Sequence, residues 1–236
     1  MDSTTAREIL KLFRHIIEAE PYPLEFDLAT SVLLMIDMQR DFLEAGGIGD
    51  RAGNDLSLVR RTIKPCQEVL RIARGSGIFV VHTRQGYRTD LSDAGPSRVE
   101  RGKFARRIGD PGPLGRLLVR GELGHEIIPE LAPLSSEPVI DKPGHGAFYA
   151  TDLLHILTAR HARTLIVCGV TTEVCVSSTV REANDRGFEC VVLSDCVGSY
   201  VPELQRASLE MIKAHDGIFG WVSTSGNLAE ALRLPR

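Results

Sequence analysis

The chain has 236 residues, 43% of them hydrophobic and 25% charged, with a formal net charge of −3; this suits one α/β domain over residues 1–236 with a large core. Such a charge gives no reason to expect nucleic acid or an anionic membrane as partner. No apolar run approaches the roughly 20 residues that cross a bilayer, and MDSTTAREIL lacks the basic and apolar regions of a signal peptide, so a soluble, cytoplasmic protein is expected.

From the N-terminus, Ile9, Leu10, Phe13, Ile16 and Ile17 recur at helical spacing and predict a helix over about residues 4–19. A polar, proline-containing stretch leads into SVLLMIDM, an apolar run suited to a central parallel strand, and Asp37 ends it. An ionisable group there costs desolvation energy unless it is paired. Gly46, Gly47 and Gly49 mark a loop, and Asp55 to Arg74 carries a long amphipathic pattern closed by Gly75 and Gly77. IFVVHTR reads as the second strand. Residues 85–124 form a long, arginine-bearing connection of weak periodicity, a kind of segment that more often carries function than filler.

Val139 and Ile140 then predict a short strand delivering Asp141 and Lys142 to a glycine-rich turn, followed by a helix capped by Thr151 or Asp152. In TLIVCGVTTEVCVSSTVRE, Leu165 to Cys168 reads as a buried strand, Gly169 to Val174 as a tight turn, and Cys175 onward as the first turn of a helix. A cysteine at a helix N-terminus meets free N–H groups and partial positive charge, which favour a thiolate. Strand ECVVLSD, a loop from Cys196 to Pro202, a helix from Glu203 to His215, strand GIFGWVS and a helix from Asn227 complete the chain. Alternating strands and helices imply a three-layer αβα fold around a central parallel sheet, Rossmann-like in topology.

Right-handed crossovers bring the carboxyl ends of parallel strands to one rim, where ligands bind. Asp37, Lys142 and Cys175 all fall there. A lysine steadies a thiolate, and a carboxylate can take the thiol proton and return it to a leaving amine. Each residue also has an ordinary alternative: a turn cap, a surface charge and an inert core thiol, respectively. The five cysteines Cys66, Cys168, Cys175, Cys190 and Cys196 are odd in number, scattered and without a C-x-x-C pair, which argues against a disulfide framework and a thiol-rich metal site. A redox role for Cys175 would need a resolving thiol, and Cys168 is nearest in sequence.

LLMIDMQRDF, IDKPGHGAF and GVTTEVCVSSTVREANDRGFECVVLSD resemble, in order, the three signature segments of the isochorismatase-like cysteine hydrolases. EPYP, DLSLV, HTRQGYR, IGDPGP, IIPEL and FGWVS extend the resemblance toward biuret hydrolase and related ureide amidohydrolases. The resemblance implies a general base at Asp37, a catalytic lysine at Lys142 and a nucleophile at Cys175. It also implies a cis peptide between Val170 and Thr171, with an oxyanion hole from the backbone N–H groups of Thr171 and Cys175. The implied activity is C–N hydrolysis of a small ureide or amide without a cofactor, by a homo-oligomer, dimer or tetramer. Ureidoacrylate, carbamoylsarcosine and nicotinamide stand as alternative substrates, and a non-catalytic or redox thiol protein as an alternative class.

Some nicotinamidases in the superfamily bind metal through an Asp-x-His-x-x-His cluster, a spacing that none of the seven histidines forms, so no metal is expected. For substrate binding the candidates are Phe42 shortly after Asp37, His145 in the glycine turn, and His215 just before the last strand. Arg84, Arg88, Arg98, Arg101, Arg106 and Arg107 either read a substrate carboxylate or form solvated ion pairs and subunit contacts.

Overall fold

The computed structural model describes residues 14–100 and 107–233. Its centre is a six-stranded sheet, all pairings parallel, in the order β10-β9-β8-β3-β4-β7. These strands are β3 (Ser31–Ile36), β4 (Phe79–Gln85), β7 (Val139–Lys142), β8 (Thr164–Val170), β9 (Glu189–Gly198) and β10 (Trp221–Ser223). Every residue of β3 and of β8 is buried. That explains their continuous apolar runs, since helices cover the sheet on both faces.

On one face lie α1 (Ile63–Ser76) and α5 (Ser225–Ala231); on the other lie α2 (Leu153–Ala159), α3 (Ser177–Asn184) and α4 (Pro202–Gly217). In α1, Ile63, Cys66, Val69, Leu70 and Ala73 form the buried stripe, and Gly77 ends the helix with φ +78°, its N–H bonded to the Ala73 carbonyl. Alternate residues of β8 feed the two cores, Leu165 and Val167 on the α3 side, Ile166 and Cys168 on the α1 side.

Several expectations are corrected. Arg14–Ile17 is not helical but forms β1, paired antiparallel with β2 (Leu24–Asp27). Ile17 is buried while Ile16 is exposed, a period of two that a helix would not produce. Residues 4–13 of the expected helix lie outside the described residues. The long pattern from Asp55 to Arg74 divides into a single turn, Ser57–Arg60, and α1. Strand β9 runs past Asp195 to Gly198, because Val197 and Gly198 continue to pair with β8. The long connection carries a one-turn helix, Pro96–Val99, and a small antiparallel ladder of β5 (Pro111–Gly112) and β6 (Gly115–Arg116). Among the described residues no helix is long and apolar enough to cross a membrane.

Candidate active site

From β3 the chain moves outward through β4 to β7, then returns to the other side of β3 with β8. The carboxyl ends of β3 and β8 therefore flank the point where strand order reverses, the usual place for a ligand crevice. Asp37 leaves β3 with φ +51°. It is fixed by its neighbour β4: its N–H donates to the Thr83 carbonyl at 3.1 Å, and the Thr83 hydroxyl donates to Asp37 Oδ1 at 2.6 Å. Lys142 ends β7 and extends its ammonium to Asp37 Oδ2 at 2.8 Å, also donating to the carbonyls of Gly144 (3.0 Å) and His145 (2.8 Å). Both side chains are 0% exposed. Each charge thus has its counter-charge and further hydrogen bonds, as a buried pair requires.

Cys175 follows β8. Gly169 in that strand has φ +122°, and a Cβ there would lie 2.0 Å from the Ile36 carbonyl oxygen, so glycine lets the end of β8 approach β3. The Val170–Thr171 peptide is cis. The chain then makes a π-helical turn, Thr172–Val176, before α3 begins. Cys175 accordingly sits in that turn, two residues before the α-helix, rather than in the helix itself. Val174 and Val176 both donate to the Thr171 carbonyl at 3.2 Å, bonds that do not use the N–H groups of Thr171 and Cys175.

Cys175 is 3% exposed, and its Sγ donates to Gln85 Oε1 at 3.1 Å. Burial pushes the thiol well above its ordinary range; Asp37 adds to this, and Lys142 opposes it without reversing it. Burial and Asp37 thus work against the thiolate that position alone would favour. Burial works against the charge on Lys142, but Asp37 opposes it and the ammonium is held above its usual value.

Gln85, Thr83 and Gln39 were missed as site residues. Gln85 is the last residue of β4, beside Lys142 in register. Gln39 fixes it from both directions, accepting from the Gln85 N–H at 2.7 Å and donating to its carbonyl at 3.0 Å. The rim argument that selected Lys142 applies equally to Gln85, had the strand been extended one residue past Arg84.

A cavity of about 300 Å³ opens over Cys175, lined by Phe42, Ile48, Leu118, His145, Val174 and Tyr200 among others. Phe42 and His145 both line this cavity. His215 is not: it is exposed, has φ +51° where α4 loses helical geometry, and does not line this cavity. Helix α4 returns the chain from the carboxyl rim to the start of β10, so a residue just before β10 lies at the amino rim. Arg98 contacts His145 Nε2 and lines a neighbouring cavity, while Arg84 pairs with Asp141 at 2.7 Å. Arg101 and Arg106 lie outside the described residues.

Three of the apparently scattered cysteines converge. The sulfurs of Cys66, Cys168 and Cys196, all buried, lie within 4.8 Å of one another. They belong to the core on the α1 face, whereas Cys175 belongs to the core on the α3 face. The sheet therefore separates Cys168 from Cys175, which removes it as a resolving thiol.

A family model described as Isochorismatase domain matches residues 31–226. The chain belongs to the isochorismatase family. As an isochorismatase-family hydrolase it is 34% identical over 221 residues to a ureidoacrylate amidohydrolase RutB of Methylorubrum extorquens, covering 92% of this chain and 88% of that protein. A RutB of Acinetobacter baylyi is 32% identical over 213 residues, with 88% and 86% covered. Among solved structures, a cysteine hydrolase from Pseudomonas syringae pv. phaseolicola superimposes with a TM-score of 0.72 at 28% identity, covering 87% of this chain and 93% of that one. The parallel sheet with helices on both faces is the family's three-layer fold.

Proposed function

We propose that the protein is a cysteine amidohydrolase that cleaves a C–N bond of a small, biuret-like ureide, with Cys175 as nucleophile, Asp37 as proton carrier and Lys142 as the fixed positive charge. The observation that carries this reading is the Cys175 thiol lining a mainly apolar cavity, beside a fully buried Asp37–Lys142 pair. A pair so costly to bury is hard to explain by packing alone.

In the first half-reaction Asp37 takes the thiol proton as Sγ attacks the carbonyl carbon. The N–H groups of Thr171 and Cys175 receive the developing oxyanion. The C–N bond then breaks, Asp37 gives its proton to the departing nitrogen, and a thioester or thiocarbamate remains on Cys175. In the second half Asp37 takes a proton from water, whose oxygen attacks the same carbon. The C–S bond breaks and the proton returns to sulfur. Lys142 stays charged throughout and holds Asp37 in place through their ion pair.

A second reading, hydrolysis of a ureido acid, is favoured by the relatives named ureidoacrylate amidohydrolase. Ammonia release from biuret, triuret, ureidoacrylate, carbamoylsarcosine and nicotinamide tests both. Turnover of biuret with an acyl adduct on Cys175 by mass spectrometry is the expected result. Substantial activity in Cys175→Ala would sink covalent catalysis.

A further inference from the structure

The cavity over Cys175 is walled mainly by apolar side chains, and among its described lining residues Glu173 is the one acidic side chain. Its Oε2 is buried and has no hydrogen-bond partner among the described residues. Two donors of the same cavity are used elsewhere: the Tyr200 hydroxyl donates to the Phe42 carbonyl at 2.6 Å and Asn54 Nδ2 to the Gly49 carbonyl at 3.0 Å, while Gln85 Oε1 accepts from the Cys175 thiol. A buried carboxylate oxygen without a donor is costly, and a ligand that brings N–H groups relieves that cost. A ligand bringing a second carboxylate adds repulsion in a site of low polarity.

We infer that Glu173 is a specificity-determining residue that accepts hydrogen bonds from the N–H groups of a neutral ureide and excludes ureides ending in a carboxylate. Among the described residues Arg98 does not enter this cavity: it lines the neighbouring one and contacts His145. The inference rests on the amidohydrolase reading and narrows its substrate to uncharged, N–H-rich ureides. Glu173 is a binding residue here, two positions before the nucleophile in the same turn, so that the loop which presents the thiol also selects what reaches it.

The test compares biuret with N-carbamoylglycine, ureides of similar size, the first ending in an amide and the second in a carboxylate. Wild-type kcat/KM is expected to favour biuret. The nearly isosteric Glu173→Gln should lower it for biuret by roughly tenfold to a hundredfold, the worth of a hydrogen bond to a charged group. It should raise or preserve it for N-carbamoylglycine, turnover of which also reports that the variant is folded. An unchanged ratio overturns the inference. So does a wild-type preference for N-carbamoylglycine that Arg98→Gln abolishes. Calorimetric binding of biuret to Cys175→Ala, with and without Glu173→Gln, separates the two levels. Binding weakened by Glu173→Gln in a protein whose wild type releases no ammonia supports the recognition and sinks the hydrolase reading. Ammonia release with no effect of Glu173→Gln does the reverse.

Discussion

Lys142 Nζ stands 2.8 Å from Asp37 Oδ2, and neither side chain reaches solvent. Two strands that are not sequence neighbours, β3 and β7, meet in this pair across β4. Removing one partner leaves a buried charge uncompensated, at a cost of about 3–5 kcal/mol. Lys142→Met is expected to lose that much stability in urea denaturation, and Asp37→Asn a similar amount. The double variant should recover much of the stability, because both charges are gone, and none of the activity. Stability losses that simply add in the double variant would contradict a coupled pair.

The proton on Cys175 makes a second prediction. Burial and the Asp37 carboxylate raise the thiol, and Lys142 lowers it. Asp37→Asn removes a raising influence and leaves the lowering one, so the thiol becomes more acidic and a larger fraction is thiolate at any pH below its pKa. Alkylation of Cys175 by iodoacetamide, followed by mass spectrometry, should be slow in the wild-type protein and still rising at about pH 10, beyond the range where an ordinary thiol has finished titrating. It should be faster at every pH in Asp37→Asn. Slower alkylation in that variant would reverse the assigned electrostatics.

Gln85 holds the thiol at 3.1 Å and is itself held on two sides by Gln39. Gln85→Ala leaves Sγ free to rotate, and the loss of a neutral hydrogen bond corresponds to roughly three- to tenfold. That loss should fall on kcat more than on KM in steady-state assays. A change confined to KM would make Gln85 a substrate contact only.

Asp41 supplies a pH prediction away from the nucleophile. It is 1% exposed, and burial raises its carboxyl from 3.8 to about 6, against the opposing hydrogen bond from the Leu118 N–H at 2.8 Å. Since the folded protein holds this proton more tightly, the stabilisation is complete below about pH 4 and is lost as pH rises through 6. The difference in unfolding free energy between wild type and Asp41→Asn should therefore change across that window by on the order of 3 kcal/mol, with the wild type losing ground toward neutral pH. A difference independent of pH across the same window would show that Asp41 titrates normally.

Much of the fold is legible in the chain because each central strand is buried on both faces and so must be apolar along its whole length. Ser31–Ile36 and Thr164–Val170 announce themselves in this way. The β1–β2 hairpin does not, because the adjacent apolar pair Ile16–Ile17 extends the helical spacing of Ile9, Leu10 and Phe13 and does not alternate. Only the pairing of Ile17 with Leu24 reveals the strand. His215 misled for a different reason: nearness in sequence to a strand says nothing of which end of the strand is meant.

The sequence by itself determined that three chemically suited side chains, Asp37, Lys142 and Cys175, come to the carboxyl rim of three parallel strands, because strand direction and right-handed crossovers are local and general constraints. Tertiary structure alone decided how those groups act on one another. It set the 2.8 Å pairing of Asp37 with Lys142, the burial that pushes the Cys175 thiol upward, the bond from Cys175 to Gln85 and the unpartnered oxygen of Glu173 in the cavity. Each of these depends on burial and on ångström-scale distances between residues far apart in the chain, quantities that periodicity and motif spacing do not encode.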